Sequence, residues 1–584
     1  MNTHLRSLTR IAAVAAVALL ATFTIPPKVR AGHRAHLSLD LLAHEARHST
    51  ARRRVILTGD PAHIAAIAAR HQLQVLHLLE NGAVLSASSS ELTDLAADGD
   101  VPSVSGDLPV RPWMTVSNAA SAADQVRAGS PGLLGIGSIA GVNGSGIGVA
   151  VIDSGVNPHP ALKNRIVANV SLVTGDPSYL DAFGHGTHVA GIIAGSGAAA
   201  QGVTTLYTGG IAPGANIINV RVLGADGSGL TSDVIAGIDW AIANRAKYNI
   251  RVLNLSLGHP VAEPAAFDPM DQAVARAVDA GLVVIVAAGN QGVADNGAPI
   301  MGGIMSPGNS PLAITVGAVN TWGTVNRSDD TIATYSSRGP TQYDLAVKPD
   351  LAAPGNKIVS LEAQNSYLSR NYSSLHVAGP SSNGYFRLSG TSMATPMVSG
   401  AAALLLSGNP GLSGGQLKLA LQMGASYMPS AGLMGAGAGN ANFWASRKMA
   451  NTGLLSTVTN LVGGLTTSSS GAAFWDAGAL TNRVYGGIGL RLLSVLELPL
   501  AWLNPSLLHV GDLNLAGLTN PLGVMPKNPL LWGDVAKWAN AQEGDQVIWG
   551  TEIYNPSGQQ VIWGTSTDGD QVIWGTSLVD ANAE

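Results

Sequence analysis

Three short segments carry residues suited to nucleophilic chemistry: "VIDSGV" with Asp153, "GHGTHVAG" with His185 and "SGTSMATP" with Ser392. A serine hydroxyl is a weak nucleophile until a neighbouring base takes its proton, and an imidazole is the side chain suited to that work. A carboxylate beside the imidazole would hold the tautomer that accepts the proton and steady the imidazolium that results. Singly, each residue has a plainer role: an Asp after a strand as a turn former, a His before glycine as structure, a Ser at a helix start as an N-cap. An Asp, a His and a Ser in that order, each in a fitting strand or helix context, point instead to a catalytic triad.

Ser392 opens the run "SGTSMATPMVSGAAALLL", which reads as a helix with Pro396 in its first turns. Proline has no N–H to give the Ser392 carbonyl four residues back, so the helix loses a bond at the residue that carries the chemistry. Such a local loss is expected where geometry matters more than stability. At a helix start the hydroxyl faces outward and the residue's own N–H points at an oxygen above the positive helix end. Ser392 is therefore expected to serve as nucleophile and as oxyanion donor.

The elements that must hold these residues begin near Gly146. Continuous apolar runs of strand length, "IGVAVID", "NIINVRVL", "IRVLNLSLG" and "LVVIVAAGN", alternate with helical ones such as "THVAGIIAG", "SDVIAGIDWAIA" and "DQAVARAVDA". Such runs imply strands covered on both faces, hence an α/β fold with a doubly wound parallel sheet. Sites in such sheets lie beyond the carboxyl ends of the strands. Asp153, Ser256 and Asn290 each follow a strand and should share that edge.

The three motifs, with "LGADGSGLTSDVIAGIDWAI", "NLSLG", "AAGN" and "SSRGP…KPDLAAPG", resemble the subtilisin-like serine peptidases (subtilases) over roughly residues 120 to 449. The resemblance implies a serine endopeptidase with Asp153, His185 and Ser392 as the catalytic triad. It also implies that Asn290 meets the oxyanion beside Ser392. Protein or peptide substrate would lie extended between an edge containing Ser228, Gly229 and Leu230 and another containing Ser256, Leu257 and Gly258. Leu257, Ala288 and Gly289 would wall an apolar primary pocket, with Met305 near its base. His188 is read as packing beside His185, whereas His159, Asp176 and Asp181 receive no role. No cofactor is expected. Many subtilases bind calcium tightly, but Ala161 stands where the family has an Asp, and "GSGAAAQGVTTLYTGG" contains no Asp, Asn or Glu. A strong calcium site is thus expected to be absent, and weak calcium binding stays open.

Residues 50–113 show a βαββαβ order, a small α+β ferredoxin-like domain resembling the propeptide of such enzymes, of the subtilisin inhibitor-like type. The enzyme's own propeptide would then be its inhibitor. Residues 116 to 145, rich in Ser, Gly and Ala, read as a linker, placing the catalytic domain at 120–449. Residues 1–31 combine Arg6 and Arg10, an apolar run and small residues around Ala31, the pattern of a signal peptide, so a secreted, extracellular or cell-surface location is expected.

The absence of cysteine means that an exported chain would depend on packing, not disulfides. A net charge of -5 without a basic stripe argues against nucleic acid. The hydrophobic segment "GIGLRLLSVLELPLAWL" is broken by Arg491, Glu497 and Pro499, against a transmembrane span. Residues 450–540 read as an accessory segment or linker. Residues 541–584 form a short β-repeat tail with three VIWGT copies, whose Trp549, Trp563 and Trp574 suit packing or contact with carbohydrate or a cell surface. Two other readings remain. One is a surface or binding protein whose peptidase domain serves mainly its own maturation. The other is an α/β-hydrolase esterase, against which "GTSMA" lacks the G-x-S-x-G elbow and the triad order is wrong.

Overall fold

The computed structural model describes residues 34–450, except 38, 47, 49, 80–81, 107–112, 132–137 and 295–298, together with short strands beyond 450. The expected signal peptide and most of 450–584 lie outside the described residues. The chain divides into two compact units at Val110/Arg111.

In the first unit β1 (His36–Leu37) and α1 (Leu39–Ala46) precede β2 (Arg53–Thr58), α2 (Pro61–Arg70), β3 (Gln74–Leu79), β4 (Gly82–Ala87), α3 (Ser89–Ala97) and β5 (Ser103–Gly106). The sheet order is β1-β5-β2-β4-β3. Val55, Leu57, Ala83 and Leu85, at alternate positions of their strands, pack with Ile64, Ile67, Leu92 and Leu95 in one core. Asp60 caps α2, which has Pro61 in its first turn, and Ser88 and Glu91 form a capping box on α3.

The second unit is built on an eight-stranded sheet. Its strands are β6 (Gly148–Asp153), β7 (Ile166–Ser171), β8 (Asn216–Arg221), β10 (Ile250–Leu255), β12 (Val283–Ala287), β13 (Ile314–Asn320), β14 (Thr331–Ile332) and β15 (Leu351–Pro354). The two-residue strands β9 (Gly229–Leu230) and β11 (Leu257–Gly258) stand apart from it. Along the sheet the order is β14-β13-β12-β10-β6-β8-β7, with β15 beside β13 and every pairing parallel except β13 with β14. Successive strands depart to opposite sides of β6, which makes its carboxyl end the switch point where the crevice opens.

Alternation explains the two covered faces. Val149, Val151, Val252 and Ile285 join α4 (His185–Ala194) and α7 (Thr391–Gly408) in one core; Ala150, Ile152, Leu253 and Val286 join α5 (Thr231–Tyr248) and α6 (Pro269–Asp279) in another.

The first part of the segment read as a linker is instead folded. Helices span Trp113–Ala120 and Ala123–Ala128, and Val116, Ala123 and Val126 are buried. Alanine is the best helix former, and small side chains allow close packing, so a composition resembling a linker also suits short buried helices. The Asn118 amide donates to the Gly209 carbonyl at 3.0 Å, and the Ser121 carbonyl accepts from the Phe443 N–H at 2.8 Å.

Charge is also used inside this unit. Buried Asp350 takes Lys348 Nζ at 2.8 Å and Lys418 Nζ at 3.0 Å, plus the Thr315 N–H at 2.8 Å. Burial alone would raise this carboxyl, but the two ammonium groups hold it below its ordinary range. The trio ties β13, β15 and the helix Gly414–Gly424 together.

Candidate active site

Asp153 ends β6 at the switch point, and His185 is the first residue of α4; both are fully buried. His185 Nδ1 lies 2.8 Å from Asp153 Oδ1, which also accepts the Ser154 N–H at 2.7 Å. Gly186 permits this approach, since a Cβ there would lie 2.2 Å from the Gly155 carbonyl oxygen and 3.2 Å from Asp153 Cβ.

The preceding Gly184, at φ 114°, offers no side-chain cap to α4. Asp181 supplies it. Its Oδ1 accepts from Gly184 N–H at 2.6 Å and Ser154 Oγ at 2.8 Å, and its Oδ2 accepts from Thr187 N–H at 2.8 Å and Thr187 Oγ1 at 2.6 Å. One carboxyl thus ties the helix that carries His185 to the residue after Asp153. Burial pushes Asp181 up to about 6 despite these donors. The sequence held a signal for this role, an acidic residue just before a helix whose own N-cap is glycine.

His188 is buried and its Nε2 faces the carbonyls of Ile358 and Phe386 at 3.2 and 3.1 Å. Desolvation, with a smaller contribution from the His185 charge, lowers it to about 3, so it stays neutral. His159 bridges Gly384 O and Ala161 N–H, both at 3.1 Å, and burial lowers it to about 4. Asp176 pairs with buried Arg221 at 2.8 Å.

Ser392 is the second residue of α7, after Gly390 at the N-cap. Its carbonyl, which Pro396 cannot serve, accepts from Ser256 Oγ at 3.0 Å, and its own Oγ donates to the Ser256 carbonyl at 3.1 Å. Ser256 Oγ in turn accepts from Asn254 Nδ2 at 2.9 Å, and Asn254 Oδ1 accepts from Ser399 Oγ at 2.8 Å. His185 Nε2 makes no protein hydrogen bond among the described residues. This nitrogen is therefore open to accept a proton, and re-aiming the Ser392 hydroxyl from one carbonyl costs about 1 kcal/mol. Asn290 Oδ1 accepts from both Thr391 N–H and Thr391 Oγ1 at 3.0 Å. With its oxygen committed twice, the amide nitrogen is the end left to donate.

Ser228 immediately precedes β9 and Ser256 immediately precedes β11, the two short strands outside the eight-stranded sheet. Ala288 and Gly289 are buried after β12. Met305 is buried between Gly258 and Gly289: a Cβ on Gly289 would lie 2.8 Å from its Sδ, and a Cβ on Gly258 would lie 3.4 Å from its Cβ.

Residues 144–459 match the family model described as "Subtilase family". The chain belongs to the subtilase family. It is 42% identical over 311 residues to "Serine protease AprX" of Bacillus subtilis (strain 168), covering 51% of this chain and 66% of that one. To "Subtilisin Savinase" of Lederbergia lenta it is 37% identical over 301 residues, 52% of this chain and 91% of the relative. To "Thermostable alkaline protease" of Halalkalibacterium halodurans it is 31% identical over 405 residues, 69% and 94% of the two chains. This subtilase is a serine endopeptidase, a hydrolase.

The Asp181 cap has a pH signature. Its folded-state pKa is about 6, above the ordinary carboxyl value, so the fold holds this proton more tightly than the unfolded chain does. That contribution is complete below the unfolded value and is lost as pH rises through about 6. Asp181→Asn removes the titration and sets an amide NH2 against N–H donors, a change worth about 1–3 kcal/mol. In a Ser392→Ala background, Tm should fall at all pH values, with a larger gap from the parent at pH 5 than at pH 8. A gap independent of pH, measured by calorimetry, would contradict this role.

Proposed function

We propose that this subtilase is a secreted endopeptidase, made as a precursor that cleaves itself, acting through Asp153, His185 and Ser392. The 2.8 Å contact between His185 and Asp153, at the crevice where Ser392 is bound to Ser256, is the observation that carries this reading. Ser392 Oγ attacks the peptide carbonyl carbon as His185 Nε2 takes its proton. Asp153 holds Nδ1–H and stabilises the imidazolium. The developing oxyanion meets the Asn290 amide and the Ser392 N–H. His185 then returns the proton to the departing amine, leaving an acyl-enzyme that water hydrolyses by the same route.

An extended substrate adds as a strand along Ser228, Gly229 and Leu230 on one side and Ser256, Leu257 and Gly258 on the other. Main-chain pairing of this kind tolerates sequence, so the pocket sets the preference. Leu257, Ala288 and Gly289 are apolar, and Met305 fills space between Gly258 and Gly289, which favours small or medium apolar side chains. The βαββαβ unit acts as propeptide and inhibitor. The "IAAVAAVALLATFTI" run behind two arginines supports export, and among the described residues no helix is long and apolar enough to cross a membrane.

Ser392→Ala should abolish hydrolysis of casein and leave the precursor uncleaved near residues 110 to 120, read by intact-mass spectrometry. Normal maturation of that variant would exclude self-processing, and surviving peptidase activity would exclude the triad. Tight calcium is not part of the proposal: the Ala161 carbonyl already accepts the Ser196 N–H at 2.8 Å, and the loop that follows has no carboxylate. EDTA should therefore change the Tm of the Ser392→Ala protein little. A large fall restored by calcium would overturn this expectation.

A further inference from the structure

The repeat tail reaches the crevice. The segment Thr576–Val579 is a strand, β16, lying between β9 and β11 in the order β9-β16-β11. It pairs Thr576 with Leu257 and Ser577 with Gly258, then Leu578 with Gly229 and Val579 with Leu230, parallel to both edges. The two short edges are thus joined through a piece of the chain's own C-terminal repeat.

Direction decides what that piece can do. The catalytic end of the crevice is marked by Ser256, which exchanges hydrogen bonds with Ser392 and immediately precedes β11. A peptide acylating Ser392 must bring its carbonyl to that end with the rest of its acyl portion trailing along β11. Its chain therefore runs toward Ser256, antiparallel to β11. The tail does the reverse: Thr576 sits beside Leu257, next to Ser256, and the chain then runs away past Gly258. Backbone pairing accepts either direction, but only one of them presents a carbonyl for attack.

The three copies of the repeat have different partners. The first and third copies pair in parallel as Val547–Trp549 and Val572–Trp574, with Trp549 opposite Trp574, and only Gly575 separates that pair from Thr576. After the shared "WGT", the first copy continues "EIYN", the second "STDG" and the third "SLVD". The first has Ile553 and Tyr554 there, paired instead with Val561 and Gln560, and the third has Leu578 and Val579. Asp-Gly in the second favours a turn.

We propose that the segment Thr576–Val579 is an intramolecular occupant of the acyl-side substrate cleft, held in reversed polarity so that it competes with substrate without being cut. The proposal rests on the assignment of β9 and β11 as substrate edges. Displacement by substrate raises KM and leaves kcat unchanged, since the bound substrate meets the same catalytic groups.

The test compares the full-length enzyme with a variant lacking residues 576–584 and with Ser577→Pro/Leu578→Pro, which removes two strand N–H donors at constant length. With a tetrapeptide anilide, both variants should show KM lowered by roughly two- to tenfold at unchanged kcat, as expected for a weak strand tethered at an effective concentration on the order of millimolar. A synthetic peptide spanning residues 575–584, added to the shortened enzyme, should inhibit competitively and be recovered intact by mass spectrometry. Unchanged KM in both variants, or cleavage of that peptide, would overturn the proposal. The cleft assignment is read separately in the shortened enzyme. If kcat/KM falls by about tenfold or more when the acyl portion shrinks from four residues to one, the edges bind substrate. Unchanged KM on deletion then condemns the tail alone, whereas no length dependence condemns the cleft assignment.

Discussion

The carbonyl of Ser392 is where the architecture of this site is decided. Inside an ordinary helix it would accept the N–H four residues on, but Pro396 has none to give. Ser256 Oγ takes that place at 3.0 Å, and Ser392 Oγ answers with a bond to the Ser256 carbonyl at 3.1 Å. Each such bond is worth about 0.5–1.5 kcal/mol net, but leaving the buried carbonyl unserved would cost about 1–3. The proline thus converts a helix start into a cross-link. Ser392 is fastened to the end of β10, and Ser256 leads directly into β11. Asn254 and Ser399 brace the link from below, so helix α7 and the strand end hold one geometry.

The Asp153–His185 pair is assembled by an independent set of constraints. Topology puts Asp153 at the switch point, between β8 and β10, and a glycine after His185 lets the helix start close on it to 2.8 Å. Asp181 then locks the two ends together by binding Ser154 and the first N–H groups of α4. The two halves are joined where α4 packs against α7 in one core.

Much of this was legible in the sequence because it is local. Continuous Val and Ile runs such as "GVAVI" and "VVIVA" could only be strands covered on both sides, and three motifs located Asp153, His185 and Ser392 on strand end and helix starts. The unread parts depend on distant partners. The helices over 113–128 carry the composition of a linker and are held by contacts to Gly209 and Phe443. Pro396 signalled a missing bond, yet only the fold reveals that Ser256 replaces it. Nothing in the periodicity of "VIWGTSLVD" tells which edge it joins, because pairing between strands far apart in the chain leaves no mark on either one alone.

The central claim is that the bond from Ser256 Oγ to the Ser392 carbonyl holds Ser392, the proposed nucleophile, in place. Its most direct measurement is kcat for a peptide anilide with Ser256→Ala, a change that removes this one hydroxyl and keeps the backbone edge. Loss of the link should lower kcat on the order of tenfold or more through misplacement of Ser392, with KM nearly constant. An unchanged kcat would mean that Ser392 is positioned by the helix alone, and would contradict the account.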